Sequence, residues 1–158
     1  MGHVDAPFAF RSKPNEPVEQ IGPNTFRVLR PVKNVNIAAW SPGDDRYAST
    51  IRWASITPAP PPAGAAQTID FPAIGDLTPG GAPQPLRAAA SSGLPVYYEV
   101  DYGPVRIAGE SVVVDHLPEP APLPLECRIT AYQIGRRVGK AIAPAASVSR
   151  VFSVRAAH

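Results

Sequence analysis

The chain has 158 residues, 21 of them proline and 12 glycine, a composition that disfavours long helices and favours many short strands separated by turns. Charged residues make up only 18%, and the net charge of +2 is scattered, so the clustered cations and interleaved aromatics of a nucleic-acid groove are absent. The single cysteine, Cys127, excludes an internal disulfide, and no apolar run approaches the length of a membrane-spanning helix.

In chain order, Phe8-Ala9-Phe10 begins a strand, and the turn-rich segment around Pro14 and Pro17 ends it. A short strand over 18–21 closes at Gly22-Pro23-Asn24. Phe26 and Val28 share one face of the next strand, which stops before Pro31. Val35, Ile37 and Ala39 alternate with Asn34, Asn36 and Ala38 up to Trp40, the pattern of a strand with one polar face. A loop through Pro42, Gly43, Asp44 and Asp45 leads to a strand carrying Ile51 and Trp53. Residues 57–66, TPAPPPAGAA, read as an extended linker in polyproline geometry that donates no ladder hydrogen bonds. This gives three segments: a partial module over 1–56, the linker over 57–66, and a complete module over 67–158.

The second block restarts the pattern more fully. Strands are expected over 68–71, 86–90, 96–100, 105–108, 111–115, 126–134 and 150–154, with turn signals at Ser92-Gly93 and Gly103-Pro104. Leu94-Pro95 forces an extended entry into the central strand, where Val96, Tyr98 and Val100 alternate with Tyr97, Glu99 and Asp101. Seven short strands spaced by turns point to an immunoglobulin-like sandwich.

Three matches in the same order relate the blocks. Residues 21–26 align with 107–112, residues 35–44 with 127–136, and residues 52–56 with 150–154, a period that reads as tandem modules. Residues 67–154 resemble the tandem immunoglobulin-like repeats of bacterial surface adhesins and phage structural proteins, with a partial copy over 8–56. The motifs that carry the resemblance are Gln67-Thr68-Ile69-Asp70-Phe71, the segment from Gly75 to Leu86, the core from Ala88 to Val100, the Gly103–Gly109 turn and Ile129-Thr130-Ala131-Tyr132-Gln133-Ile134-Gly135. The LPEPAPLP stretch and the GRRVGK loop depart from that pattern. The first block has no counterpart of the strands over 68–71 and 86–90, so something must complete it: its own N-terminal lead, the second block or a neighbouring subunit.

Chemistry-bearing residues are sparse. Asp44 and Asp45, with Asp70 and Asp76 elsewhere, lack calcium-loop spacing. Asp115 and His116, taken with Glu99 and Asp101, suggest an acid–base cluster, against which stands the ordinary reading of His116 as an exposed strand-end histidine. Histidines at positions 3, 116 and 158 give no zinc spacing. Cys127 falls on an alternating strand and reads as a small buried residue. Trp40 and Trp53 are expected to pack in the core, the alternative being sugar stacking. Arg136, Arg137 and Lys140, with Arg150 and Arg155 nearby, form the one basic cluster, read as a solvated loop or as a contact for an acidic neighbour or anionic glycan.

The expectation is therefore an all-β chain of two immunoglobulin-like antiparallel β-sandwich modules in tandem, the first incomplete, with no catalytic activity, cofactor or metal. The resemblance implies a structural or accessory protein of a phage virion, in the capsid decoration, neck or tail. Its partners would be other virion proteins or copies of itself, with no nucleic acid and no membrane. Because MGHVDAPFAF has no secretion-signal pattern, synthesis in the host cytoplasm and departure within a particle are expected. The competing expectation is an adhesin module at the cell surface that binds carbohydrate or protein.

Overall fold

Proline and glycine set the punctuation, and short strands occupy most of the intervals between them. The computed structural model describes residues 8–14, 16–118 and 120–156. They form no helix, and the chain divides into two units, residues 1–61 and 62–158. His3 and His158 lie outside the described residues.

Unit 1 holds β1 (Ala9–Ser12), β2 (Val18–Gly22), β3 (Thr25–Val28), β4 (Val35–Ser41) and β5 (Thr50–Ile56). An antiparallel sheet runs β1-β4-β5, and β2 and β3 form a hairpin around the two-residue turn Pro23-Asn24. Val35 and Ile37 alternate onto one face of β4 and are buried there, as the sequence period requires. In the loop before β5, the Asp44 carboxylate accepts the backbone N–H groups of Arg46 and Tyr47, so it serves as a turn former.

Unit 2 holds β6 (Ile69–Asp70), β7 (Gln84–Pro85), β8 (Ala89–Ala90), β9 (Tyr97–Tyr102), β10 (Val105–Ala108), β11 (Ser111–Val114), β12 (Leu125–Tyr132) and β13 (Val148–Val154). The strand expected over 86–90 is split, with β7 pairing β11 and β8 pairing β6. If β7 and β8 are taken as one interrupted strand, the sheets read β6-β8/β7-β11-β10 and β9-β12-β13. These are the A-B-E-D and C-F-G orders of a constant-type immunoglobulin sandwich. Leu77 crosses to the other sheet and bridges Val154 in parallel, through Leu77 N–H to Ser153 and Arg155 N–H to Leu77.

The core of unit 2 lies between these sheets. Phe71, Val112, Cys127, Ile129, Ala131 and Val154 are almost wholly withdrawn from water, and a fully buried Val, Ile or Phe side chain contributes about 1.5–3 kcal/mol. Tyr98 of β9 tilts against Phe71 at 5.6 Å between ring centroids, and its hydroxyl accepts the Ala88 N–H at 2.9 Å. Burial pushes the Tyr98 phenol up from its ordinary value.

Three polar residues from separate motifs meet inside. Gln67 Nε2 donates to Gln133 Oε1 at 3.0 Å and to the Ala143 carbonyl at 2.7 Å; the Ser92 hydroxyl donates to Gln67; and Gln133 Nε2 donates to the Pro95 carbonyl at 3.0 Å. Gln67 and Gln133 are both buried, and the network satisfies them. These side chains hold the first strand, the central turn and the end of β12 together.

The Pro/Ala segment differs from the expected linker at its C-terminal end. Ala65 bridges Ile142 in parallel, donating to the Ala141 carbonyl and accepting from Ala143 N–H. The prolines stop at Pro62, so Ala63 to Ala66 keep the backbone donors that the earlier residues of the segment mostly lack.

The two units share a strand pattern. In each, a central strand (β4 or β12) lies between an earlier strand (β1 or β9) and the following one (β5 or β13), and a separate hairpin turns over two residues. The aligned pairs Gly22/Ala108 and Thr25/Ser111 flank both hairpin turns. Among the described residues of unit 1 there is no counterpart of β6, β7 or β8. β1 occupies the place of β9, and no other described residue of unit 1 fills those positions; the N-terminal lead over 1–7 lies outside the described residues.

Candidate interaction surface

The basic loop is built from the end of β12 outward. Arg136 and Ile142 exchange backbone hydrogen bonds at 2.9 and 3.0 Å, and Gly135 and Gly139 adopt positive φ. A Cβ at Gly135 would meet the Ile142 carbonyl, so the loop's base is tightly seated. The Arg136 guanidinium donates to the Lys140 carbonyl at 3.2 Å, which closes the loop on itself. Arg136, Arg137 and Lys140 are all exposed, and Val138 at the tip is 85% exposed.

Arg150 and Arg155 do not join this cluster as free cations. Arg150 donates to the Phe71 carbonyl at 2.6 Å and lies over the Phe71 ring, while Arg155 pairs with Asp76. Asp76 also accepts the Ser153 N–H, and that bond, followed by Arg155, holds its carboxyl below the ordinary value.

The acid–base cluster does not assemble. Asp115 pairs with Arg106 at 3.0 Å beside β11, whereas Asp101 pairs with Arg128 at 3.3 Å on the opposite sheet. His116 is exposed at the strand end. Cys127 is fully buried, and desolvation pushes its thiol up, the opposite of an activated nucleophile. Among the described residues no three His, Cys, Asp or Glu side chains converge to hold a metal. Among the described residues no helix is long and apolar enough to cross a membrane.

Trp40 and Trp53 correct the expectation of core packing. They are 43% and 54% exposed, and Ile51 is 50% exposed. Trp40 lies opposite Ile51 and Ala38 opposite Trp53, so the two indoles are diagonal neighbours about 7–8 Å apart at Cα on one sheet face. The signal was present in β4: Trp40 has the parity of Asn36 and Ala38, opposite to the buried Val35 and Ile37. The partnership with Ile51 and Trp53 depends on the cross-strand register, which no local pattern specifies.

The same face of unit 2 has a different chemistry. There Arg128, Thr130 and Tyr132 stand at the positions aligned with Asn36, Ala38 and Trp40. Arg128 bonds Asp101 and Ser149, and the Thr130 and Ser149 hydroxyls lie 2.7 Å apart. A bulge in β9 between its pairings to Arg128 and Ile129 presents Asp101 to this group. One outer face is a satisfied polar network, and the other exposes Trp40, Ile51 and Trp53 around the buried Ala38, with Arg11 and Asn36 on the same face.

Beside the indoles, β5 forms one side of its sheet. It pairs β4 along all seven residues, and every one of those residues is exposed. Its outer row of backbone donors and acceptors is a template for another strand.

No protein-family model matches the sequence, and no curated protein matches it. Among solved structures, the Protocadherin GammaB4 extracellular domain is similar at 15% identity and a TM-score of 0.37, over 94% of this chain and 27% of that one. The fold assignment rests on the strand order and needs no support from that likeness.

Proposed function

We propose that the chain is a non-enzymatic structural or accessory protein of a phage virion, built from two tandem immunoglobulin-like modules and joined to its neighbours through the first. The observation that carries this reading is the exposed Trp40, Ile51 and Trp53 beside the outer edge of β5, which no described strand pairs. An apolar face next to an open edge is what a module completed by another molecule presents. The partners are other virion proteins or further copies of the chain, and the place of action is the particle's capsid, neck or tail. The repeat in sequence and strand order supports the modules as copies of one ancestral unit.

The test is to add the purified chain to phage capsids and tails and to measure co-sedimentation. Saturable binding that Trp53→Lys abolishes while the fold is retained is the expected result. Binding to neither capsids nor tails overturns the reading. The alternative, an adhesin-type module at the cell surface, is favoured by the same two exposed indoles, which could stack on sugar rings. A glycan array separates the two, because the virion reading expects no glycan-dependent signal.

A further inference from the structure

We propose that two copies of this chain pair through the free edges of β5, antiparallel across a two-fold axis centred on Trp53. The proposal rests on the reading of the chain as an assembling component and names the contact.

Protective features are few on this edge. From Thr50 to Ile56 it contains no proline, lysine or carboxylate, and its register with β4 runs without a bulge. Soluble proteins normally blunt a long edge with one of those devices. Arg52, the sole charged residue in the strand, lies on the face of Val35 and Ile37 and is the one such device the edge carries.

Strand geometry then selects the register. Alternate residues of β5 turn their backbone groups towards β4, and the others turn theirs outward. Two such edges bond only if outward residues meet outward residues, so facing positions must both be odd or both be even. That condition also keeps each residue on its own sheet face. Among the allowed registers, the one that sets Trp53 opposite Trp53 overlaps all seven residues. It places Ile51 opposite Ser55, Arg52 opposite Ala54 and Thr50 opposite Ile56, so no cation faces a cation.

The result is a continuous six-stranded sheet whose apolar outer face runs from one copy into the next. The two Trp53 indoles meet at its centre, with Ile51 and Trp40 on either side. The paired edge is about 24 Å long and about 10 Å deep, so its area of about 240 Å² is well below the ~800 Å² per partner of a standard stable interface. The dimer is therefore weak and concentration-dependent, suited to a particle where many copies are held close together.

The full chain serves for the test. Analytical ultracentrifugation should show a mass rising from monomer towards dimer between about 1 and several hundred micromolar, the range of weak association. Because the native chain has one cysteine and it is buried, an introduced thiol reports the contact cleanly. Facing Cα atoms in an antiparallel pair lie about 4.5–5.5 Å apart, inside the disulfide window. Trp53→Cys should give a reducible covalent dimer on mild oxidation, and Ile51→Cys should do so only when mixed with Ser55→Cys.

Ala54→Glu puts a carboxylate opposite Arg52 twice per dimer and should tighten association roughly two- to thirty-fold, and Ala54→Arg should weaken it. A far-UV circular dichroism spectrum like that of the parent chain shows that each variant is folded. A strict monomer throughout overturns the proposal. So does a dimer indifferent to both Ala54 variants, or cross-linking by Ile51→Cys alone as efficient as by Trp53→Cys. A strict monomer that still adds to phage particles removes the β5 pairing and leaves the assembly reading; a dimer that never adds to particles removes the assembly reading and leaves the pairing.

Discussion

Gly103 sits at the turn between β9 and β10 with φ of +105°, and a Cβ built there would lie 2.5 Å from Cys127 Sγ and 2.8 Å from both Cys127 Cα and Cβ. Gly103→Ala therefore meets two separate penalties. Holding a side chain at that backbone conformation costs about 1–3 kcal/mol. Forcing a methyl group into the packed centre of β12 costs about 1–3 kcal/mol more. Gly109 is the matched control, since its φ is +62° and nothing lies within 4 Å of the added atom. Gly109→Ala should then cost only the backbone part, about 1–2 kcal/mol. The excess of Gly103→Ala over Gly109→Ala contains the Cys127 contact, about 1–3 kcal/mol, together with the added backbone cost of φ +105° over +62°. Urea unfolding reads it by site. Cys127 is buried in unit 2, so its reaction with a thiol reagent follows that unit, while the chain's two tryptophans, Trp40 and Trp53, follow unit 1. Equal midpoints for Gly103→Ala and Gly109→Ala would refute the reasoning, and an effect confined to tryptophan fluorescence would misplace it.

Three further outcomes are expected from the same probes. Gln133→Leu leaves the Pro95 carbonyl, the Gly135 N–H and Gln67 short of partners and should lower the stability of unit 2 by about 2–4 kcal/mol in thiol-monitored urea titrations. Tyr98→Phe removes the acceptor for Ala88 N–H but keeps the ring on Phe71; a loss of about 1–3 kcal/mol is expected. Asp76 has its pKa lowered on folding from 3.8, so its contribution is present above that value and is lost as pH falls through the lower, folded-state value; Asp76→Asn should flatten that acid limb of the midpoint-against-pH curve and leave its neutral limb parallel to the parent's.

The strand positions were legible because strand-forming residues alternate between turn residues over most of the chain. β10 spans the expected residues, and β9 is displaced by a residue or two from the run beginning at Val96. The motif polar residues Gln67, Ser92 and Gln133 were visible as letters, but their meeting was not, because Gln67 and Gln133 are 66 residues apart and come together only when the sheets close. Ala65 was misread for a local reason: composition marked 57–66 as one segment, whereas the absence of a donor belongs to the prolines alone. For the indoles, a strand position does not by itself say which face a side chain takes; the parity of β4 puts Trp40 with Asn36, opposite the buried Val35 and Ile37.

Among the described residues of unit 1 no strand matches β6, β7 or β8, yet Val35, Ile37 and Ser41 on the inner face of β4 are buried, as is Ala38 on the other. What unit 1 lacks is therefore expressed at its margin, where β5 runs with all seven residues exposed. In unit 2 the strand in the place of β5 is β13, and Leu77 lies along it in parallel, bonded to Ser153 and Arg155. Among the described residues of unit 1 no segment lies along β5 in that way. On the adjoining surface Asn36, Ala38 and Trp40 stand where unit 2 has Arg128, Thr130 and Tyr132. The exposed tryptophans and the outer edge of β5 thus lie on one side of one sheet.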